Sequence, residues 1–290
     1  MLLSGDPVTS PTLEAVYTRL LAHFGRLHGP LAVRPWWPIF GDDPAFEILV
    51  GAVLVQQTRW ETVEQVVQRL LAADLLSPVA LVQVAAADLV PLLRPVAFYP
   101  QKATGLRALA EYLVTKYQGR TATLLARPLD ALRAELLALP RIGSETCDVT
   151  MLYGGGHPVF VVDAYTRRLF ARVGPAPHQH EPERWHRDRY EQVRQTIEAT
   201  LTELVPAEPP VALYAEFHAQ INEVCVRYCL ARPRCDGPPS RRVYSRQDGR
   251  ESYLDRADGC PLRKICRYYC EEQGDATSRA SVDRNRGKPA

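Results

Sequence analysis

The sequence has no long hydrophobic run. Its most apolar stretch, around Ile48–Val55, is too short to cross a bilayer, which takes about 20 apolar residues as a helix. No membrane partner is expected. The first residues, Met1-Leu2-Leu3-Ser4-Gly5-Asp6, lack both the basic start and the apolar core of a secretory signal. A cytoplasmic location is therefore expected. An excess of one charge is also missing: 35 Lys and Arg against 33 Asp and Glu leave a net charge of +2. That excludes a global polyelectrolyte. Lysine is scarce, at four of the 35 basic residues. Arginine grips phosphate bidentately, but a biased genome gives the same preference. With 46% hydrophobic residues, the 290-residue chain can bury a sizeable core and is not disordered as a whole.

Charge and cysteine are unevenly spread. From Cys225 onward there are 15 basic against 9 acidic residues, and before it 20 against 24. A basic end on a mildly acidic body fits a polyanion partner, although basic tails often only solvate. Seven cysteines are an odd number for a disulfide framework, and six of them fall between Cys225 and Cys270. Such a cluster in a cytosolic chain points to metal or redox chemistry.

The apolar periodicity is helical. Val63, Val66, Val67 and Leu70 share one face, as do Leu106, Leu109, Ala110, Leu113 and Tyr117, and then Tyr190, Val193, Ile197, Leu201 and Leu204. Prolines punctuate the helices at 78, 95, 100, 128 and 140. Only Pro158–Val162 reads as a strand, too short and isolated to found a sheet. The class is all-α, with further breaks at Gly174–His178 and Pro206–Pro210. Gly237–Gly259 reads as a loop, and the polar tail 271–290 as disordered.

Three segments carry chemistry. In Leu139-Pro140-Arg141-Ile142-Gly143-Ser144-Glu145-Thr146, a helix over about 129–138 ends and another begins near Ser144, a natural N-cap. The free N–H groups of such a start can hold a phosphate; taken alone, the segment is an ordinary helix–helix connection. Asp163 follows the apolar run Phe160-Val161-Val162 and opens the next helix, where its plainest role is an N-cap. Cys229, Cys235, Cys260 and Cys266 are spaced C-x5-C-x24-C-x5-C. Structural zinc favours closer pairs. A 4Fe–4S cubane, with four separated corners, accepts wider ones.

Hairpin, aspartate and cysteines together resemble the endonuclease III family of helix–hairpin–helix iron–sulfur DNA glycosylases, over about residues 12–270. The chain is most similar to the 3-methyladenine DNA glycosylase branch. The resemblance implies two helical lobes with a DNA groove between them. One is a six-helix barrel over 37–157 carrying the hairpin at 139–146. The other joins 1–36 to 158–270 and holds the cluster over 229–266, with an inserted loop at 236–259. It implies that Pro140, Arg141, Ile142, Gly143 and Ser144 grip the DNA backbone. Gln56 would fill the vacated base position, and Phe98 would act as the intercalating wedge. Trp36, Trp37, Pro38 and Phe46 would form the base pocket, and Asp163 would be catalytic. Without the family, Gln56 reads as a surface helix-end residue, and Phe98 and the two tryptophans as core.

The departures narrow the activity. Glu145 stands where bifunctional members carry the Schiff-base lysine, and a carboxylate forms no imine. A cationic alkylated purine suits aromatic walls and leaves with little acid help. The expected activity is monofunctional removal of a 3-methyladenine-like base from double-stranded DNA, with Asp163 and Glu145 as catalytic residues. The chain would act as a monomer and hand its product to an abasic-site endonuclease. Arg141 replaces the first hairpin glycine, so either the turn is altered or a phosphate contact is added. Two alternatives stand beside this reading. One is a glycosylase and lyase for oxidised pyrimidines, using another amine such as Lys102. The other is a catalytically weak, DNA-structure-binding or redox-sensing iron–sulfur protein.

Overall fold

The computed structural model describes residues 11–29, 36–240 and 258–271. The tail over 272–290 and most of the inserted loop, 241–257, lie outside the described residues. The helices are α1 (Leu13–Phe24), α2 (Pro44–Leu54), α3 (Trp60–Ala72), α4 (Pro78–Gln83), α5 (Ala86–Leu93), α6 (Tyr99–Tyr117) and α7 (Thr121–Leu125). They continue with α8 (Leu129–Leu137), α9 (Ser144–Val149), α10 (Ala164–Val173), α11 (Arg184–Arg187), α12 (Tyr190–Leu204) and α13 (Pro210–Arg227). A π-helical turn, Thr150–Gly154, prolongs α9. Among the described residues there is no strand; Val159–Val162 is fully buried irregular chain.

The periodic stripes face the core. Val63, Val66, Val67 and Leu70 of α3 are buried, as are Leu106, Leu109, Ala110 and Leu113 of α6. Helix α2 is different: from Phe46 to Leu54 every residue is buried, the signature of a helix enclosed on all sides. Asp43 caps it, accepting from the Phe46 N–H at 3.0 Å, and Pro44 supplies its first turn. Helices α3, α6, α7 and α9 pack around α2. Helix α13 packs against α1 and α10, and the π-turn touches both α2 and α13. That turn is the covalent and packing bridge between the two halves.

A buried charge network reinforces the bridge. Arg133 of α8 pairs with Asp148 of α9 and Glu191 of α12. Arg194 of α12 pairs with Glu191 at 2.8 Å and Glu198 at 2.9 Å. Asp148 is fully buried, so its charge has no solvent to fall back on.

Candidate active site

The hairpin forms as expected, with one shift of register. Helix α9 begins at Ser144, but its N-cap is Gly143 in extended conformation, not Ser144, and no side chain caps the first turn. Ile142 is buried and anchors the hairpin, while Pro140, Arg141 and Gly143 face solvent and Ser144 is half-buried. Arg141 sits at φ 69°, the left-handed region that glycine adopts without cost. The turn is therefore preserved despite the substitution. Room for the side chain comes from Gly105 of α6, where an added Cβ would lie 2.6 Å from the Arg141 Cγ.

Two neighbouring loops are tied to the hairpin. The Gln56 amide donates to the Arg141 carbonyl at 2.8 Å and to the Thr146 hydroxyl at 2.9 Å. Gln56 is thus bound to the hairpin, whereas its neighbour Gln57, at φ 54°, is exposed and lines the cavity between the halves. Phe98 precedes α6 at φ 55° and is 53% exposed. A large apolar side chain held outward by a strained backbone does nothing for packing. Lys102 is fully buried, its ammonium donating to the carbonyls of Leu54 at 2.8 Å and Gln56 at 2.7 Å and to the Thr58 hydroxyl at 3.1 Å. Burial, then Arg141, lowers its pKa to about 8. It fastens the glutamine loop to α6 and does not line the cavity.

That cavity, about 440 Å3, lies between the halves. Its walls are Trp36 and Trp37 before α2, Trp60 at the start of α3, and Tyr165 of α10. The Trp36 and Trp37 ring centres are 6.0 Å apart and those of Trp37 and Trp60 4.9 Å. Phe46 does not line it: its position on the enclosed helix α2 makes it core, 0% exposed. Pro38 is half-buried and also off the lining. Trp60 takes the place expected of Phe46. Its pattern, Arg59-Trp60-Glu61-Thr62, reads as a polar helix start and gave no signal.

Two carboxyls face each other across this space. Asp163 caps α10, its Oδ1 accepting from the Thr166 N–H at 2.7 Å. Its Oδ2 accepts from Asn222 Nδ2 at 3.0 Å, with His218 Nε2 at 3.5 Å. Burial opposes its ionisation, yet His218 and the Thr166 N–H hold the carboxyl below its ordinary value. Glu145 is open to water but hemmed in by the cavity walls. This crowding and the Asp163 charge, partly offset by Arg167, raise its pKa to about 7. Environments that drive two carboxyls apart in this way assign them different protonation states.

The four cysteines gather at the end of α13. Cys229, Cys260 and Cys266 are buried and Cys235 is half-buried. Burial raises the thiols of Cys260 and Cys266, each of which also feels the charges of Cys229 and Cys235. The Cys260 N–H donates to the Cys235 carbonyl at 2.8 Å, stitching the two pairs together. Arg172 reaches Cys229 Sγ at 3.3 Å. Among the described residues no three His, Cys, Asp or Glu side chains lie close enough to hold a single metal ion. A cubane asks for four thiolates around a larger body, and the donor set present is of that chemistry.

A helix–hairpin–helix facing a capped aspartate across a cavity defines a base-excision glycosylase fold. Residues 50–195 match the HhH-GPD superfamily of base excision DNA repair proteins, and the chain belongs to that superfamily. It is 33% identical over 226 residues to a Methanocaldococcus jannaschii protein bearing the provisional name of a DNA repair glycosylase, covering 77% of this chain and 91% of that one. Thermotoga maritima endonuclease III is 33% identical over 46% of this chain and 57% of its own length. The structure of Helicobacter pylori 3-methyladenine DNA glycosylase bound to 1,N6-ethenoadenine aligns with a TM-score of 0.54 at 25% identity, over 65% of this chain and 86% of that one. A trapped endonuclease III–DNA intermediate aligns with a TM-score of 0.60 at 21% identity, over 90% and 97%. No helix among the described residues is long and apolar enough to cross a membrane.

Proposed function

We propose that this glycosylase is monofunctional and removes an alkylated, positively charged purine of the 3-methyladenine kind from duplex DNA. The observation that carries the reading is the cavity lining: aromatic walls, with Glu61, Glu145, Asp163 and the Arg227-paired Glu223, against Arg59 and His218. A cation over an aromatic face gains about 0.5–2 kcal/mol, and the ionised Asp163 adds to it. The similarity to a 3-methyladenine glycosylase with a bound modified adenine supports the same substrate class.

The chain's own residues then divide the work. The uncapped start of α9 and Arg141 hold the backbone. Phe98 wedges the stack open, offsetting the cost of flipping the base, and Gln57 fills the vacated position. The flipped base enters among Trp36, Trp37 and Trp60. The C1′–N bond breaks with its electron pair leaving on the base, which departs neutral. Asp163, ionised, stabilises the oxocarbenium and takes a proton from the water that adds to C1′. No lysine lines the cavity among the described residues, so no imine forms and the strand stays intact. The abasic product passes to an endonuclease. We also assign Cys229, Cys235, Cys260 and Cys266 as ligands of a 4Fe–4S cluster, which when bound would serve as a structural crosslink in a monomer.

The test is base release from methylated DNA and from thymine-glycol DNA, with nicking scored with and without alkali. Release of 3-methyladenine with nicks only after alkali is expected. Alkali-independent nicking and a borohydride-trapped adduct on thymine-glycol DNA would replace this reading with the oxidised-pyrimidine lyase.

A further inference from the structure

The wall of the cavity behind Asp163 is an ordered hydrogen-bond chain to which the base-excision chemistry assigns no role. Asn222 and His218 stand one turn apart on α13. The Asn222 amide donates to Asp163 Oδ2 at 3.0 Å and to the His218 carbonyl at 3.1 Å, and lies 3.2 Å from His218 Nε2. These acceptors fix the amide with its nitrogen toward the carboxylate. On the other side of the ring, His218 Nδ1 is 2.7 Å from the Tyr153 hydroxyl, which donates to the Ala215 carbonyl at 3.0 Å. The contacts run without a break from the Asp163 carboxylate through Asn222 and His218 to Tyr153. Tyr153 belongs to the π-turn that prolongs the hairpin helix, and such turns recur at functional sites.

We propose that Asn222, with His218 and Tyr153 behind it, is a positioning device that sets the catalytic carboxylate of Asp163 and couples it to the DNA-gripping hairpin. The inference rests on the glycosylase reading for its kinetic arm. The carboxylate is held at both oxygens: Thr166 fixes Oδ1 and Asn222 fixes Oδ2. These two bonds fix its orientation. Glu145 from α9 and Cys225 from α13 feel the Asp163 charge, Arg167 of α10 acts on Glu145, and His28 after α1 feels His218. His218 is 3% exposed, which keeps water from replacing the chain.

The test compares the wild type with Asn222→Leu, Asn222→Ser, His218→Gln and Tyr153→Phe, each first checked for helical content. In Asn222→Leu the Asp163 carboxyl pKa, followed by carbon-13 NMR without DNA, should rise. The single-turnover rate of base release should fall about 10–100-fold, the effect of losing a hydrogen bond to a charged group, while the DNA Kd stays within about twofold. Asn222→Ser, which keeps a donor, should recover part of both. Tyr153→Phe and His218→Gln should lower the rate without weakening DNA binding. An unmoved Asp163 titration in both Asn222 variants would overturn the proposal. So would an unchanged rate in Asn222→Leu. If the wild type released no base, the glycosylase reading would fail, and the NMR arm would still decide this one.

Discussion

Glu145 shows how one residue shapes an activity. At the cavity it places a carboxyl whose pKa is raised to about 7. The folded protein therefore holds this proton more tightly than the unfolded chain. Its contribution to stability is complete below the ordinary carboxylate range and is lost as pH rises through about 7. Glu145→Gln should flatten that decline in thermal unfolding between pH 5 and 8, an outcome checked by scanning both proteins across the range. A Glu145→Gln profile as steep as the wild type's would place the titration elsewhere. Glu145→Lys tests the same position chemically. It puts an amine beside Asp163, and borohydride should trap a DNA adduct in this variant and none in the wild type.

At the scale of elements, the hairpin and α6 are fitted to each other. Arg141 takes a glycine's conformation, and Gly105 leaves space for its side chain. Gly105→Ala should destabilise the protein in the Arg141 background, despite a helix-propensity gain of about 1 kcal/mol. In the Arg141→Gly background the same change should be neutral or stabilising, and denaturant unfolding of the four proteins measures the coupling. Equal effects in both backgrounds would show that the contact carries no energy. Asp148→Ala takes one partner from Arg133 and Arg194, which keep Glu191 and Glu198, and a loss of about 1.5–3 kcal/mol in unfolding free energy is expected, the worth of a hydrogen bond to a charged group. Such partial burial and pairing were not visible in the sequence, because they depend on long-range packing. The stripes of α3, α6 and α12 were legible, since apolar residues spaced at three and four mark a helix with one buried face. Helix α2 was not: apolar all round, it offers no pattern that separates a cavity-facing Phe46 from a core one. Helix α13 hides Asn222 and His218 differently: it buries polar residues along nearly its whole length, so polarity does not mark its cavity-facing side.

Between two helical halves the molecule encloses a cavity to which the hairpin helix α9 brings Glu145 and α10 its capping Asp163. Its hairpin, aspartate and cysteine spacing could be read along the chain because each is a local signal. The cavity could not, because Trp36, Trp60, Glu145, Asp163 and Asn222 come from five separate stretches that meet only on folding. The π-turn joins these stretches, touching α2 on one side and α13 on the other. The central claim is that this cavity excises a cationic purine through Asp163. The most direct measurement is single-turnover release of 3-methyladenine from methylated duplex DNA by the wild type and by Asp163→Asn, with DNA affinity determined for both. The account predicts release by the wild type, with loss of at least about 100-fold in the variant and near-equal affinity. Release by Asp163→Asn at the wild-type rate would contradict it.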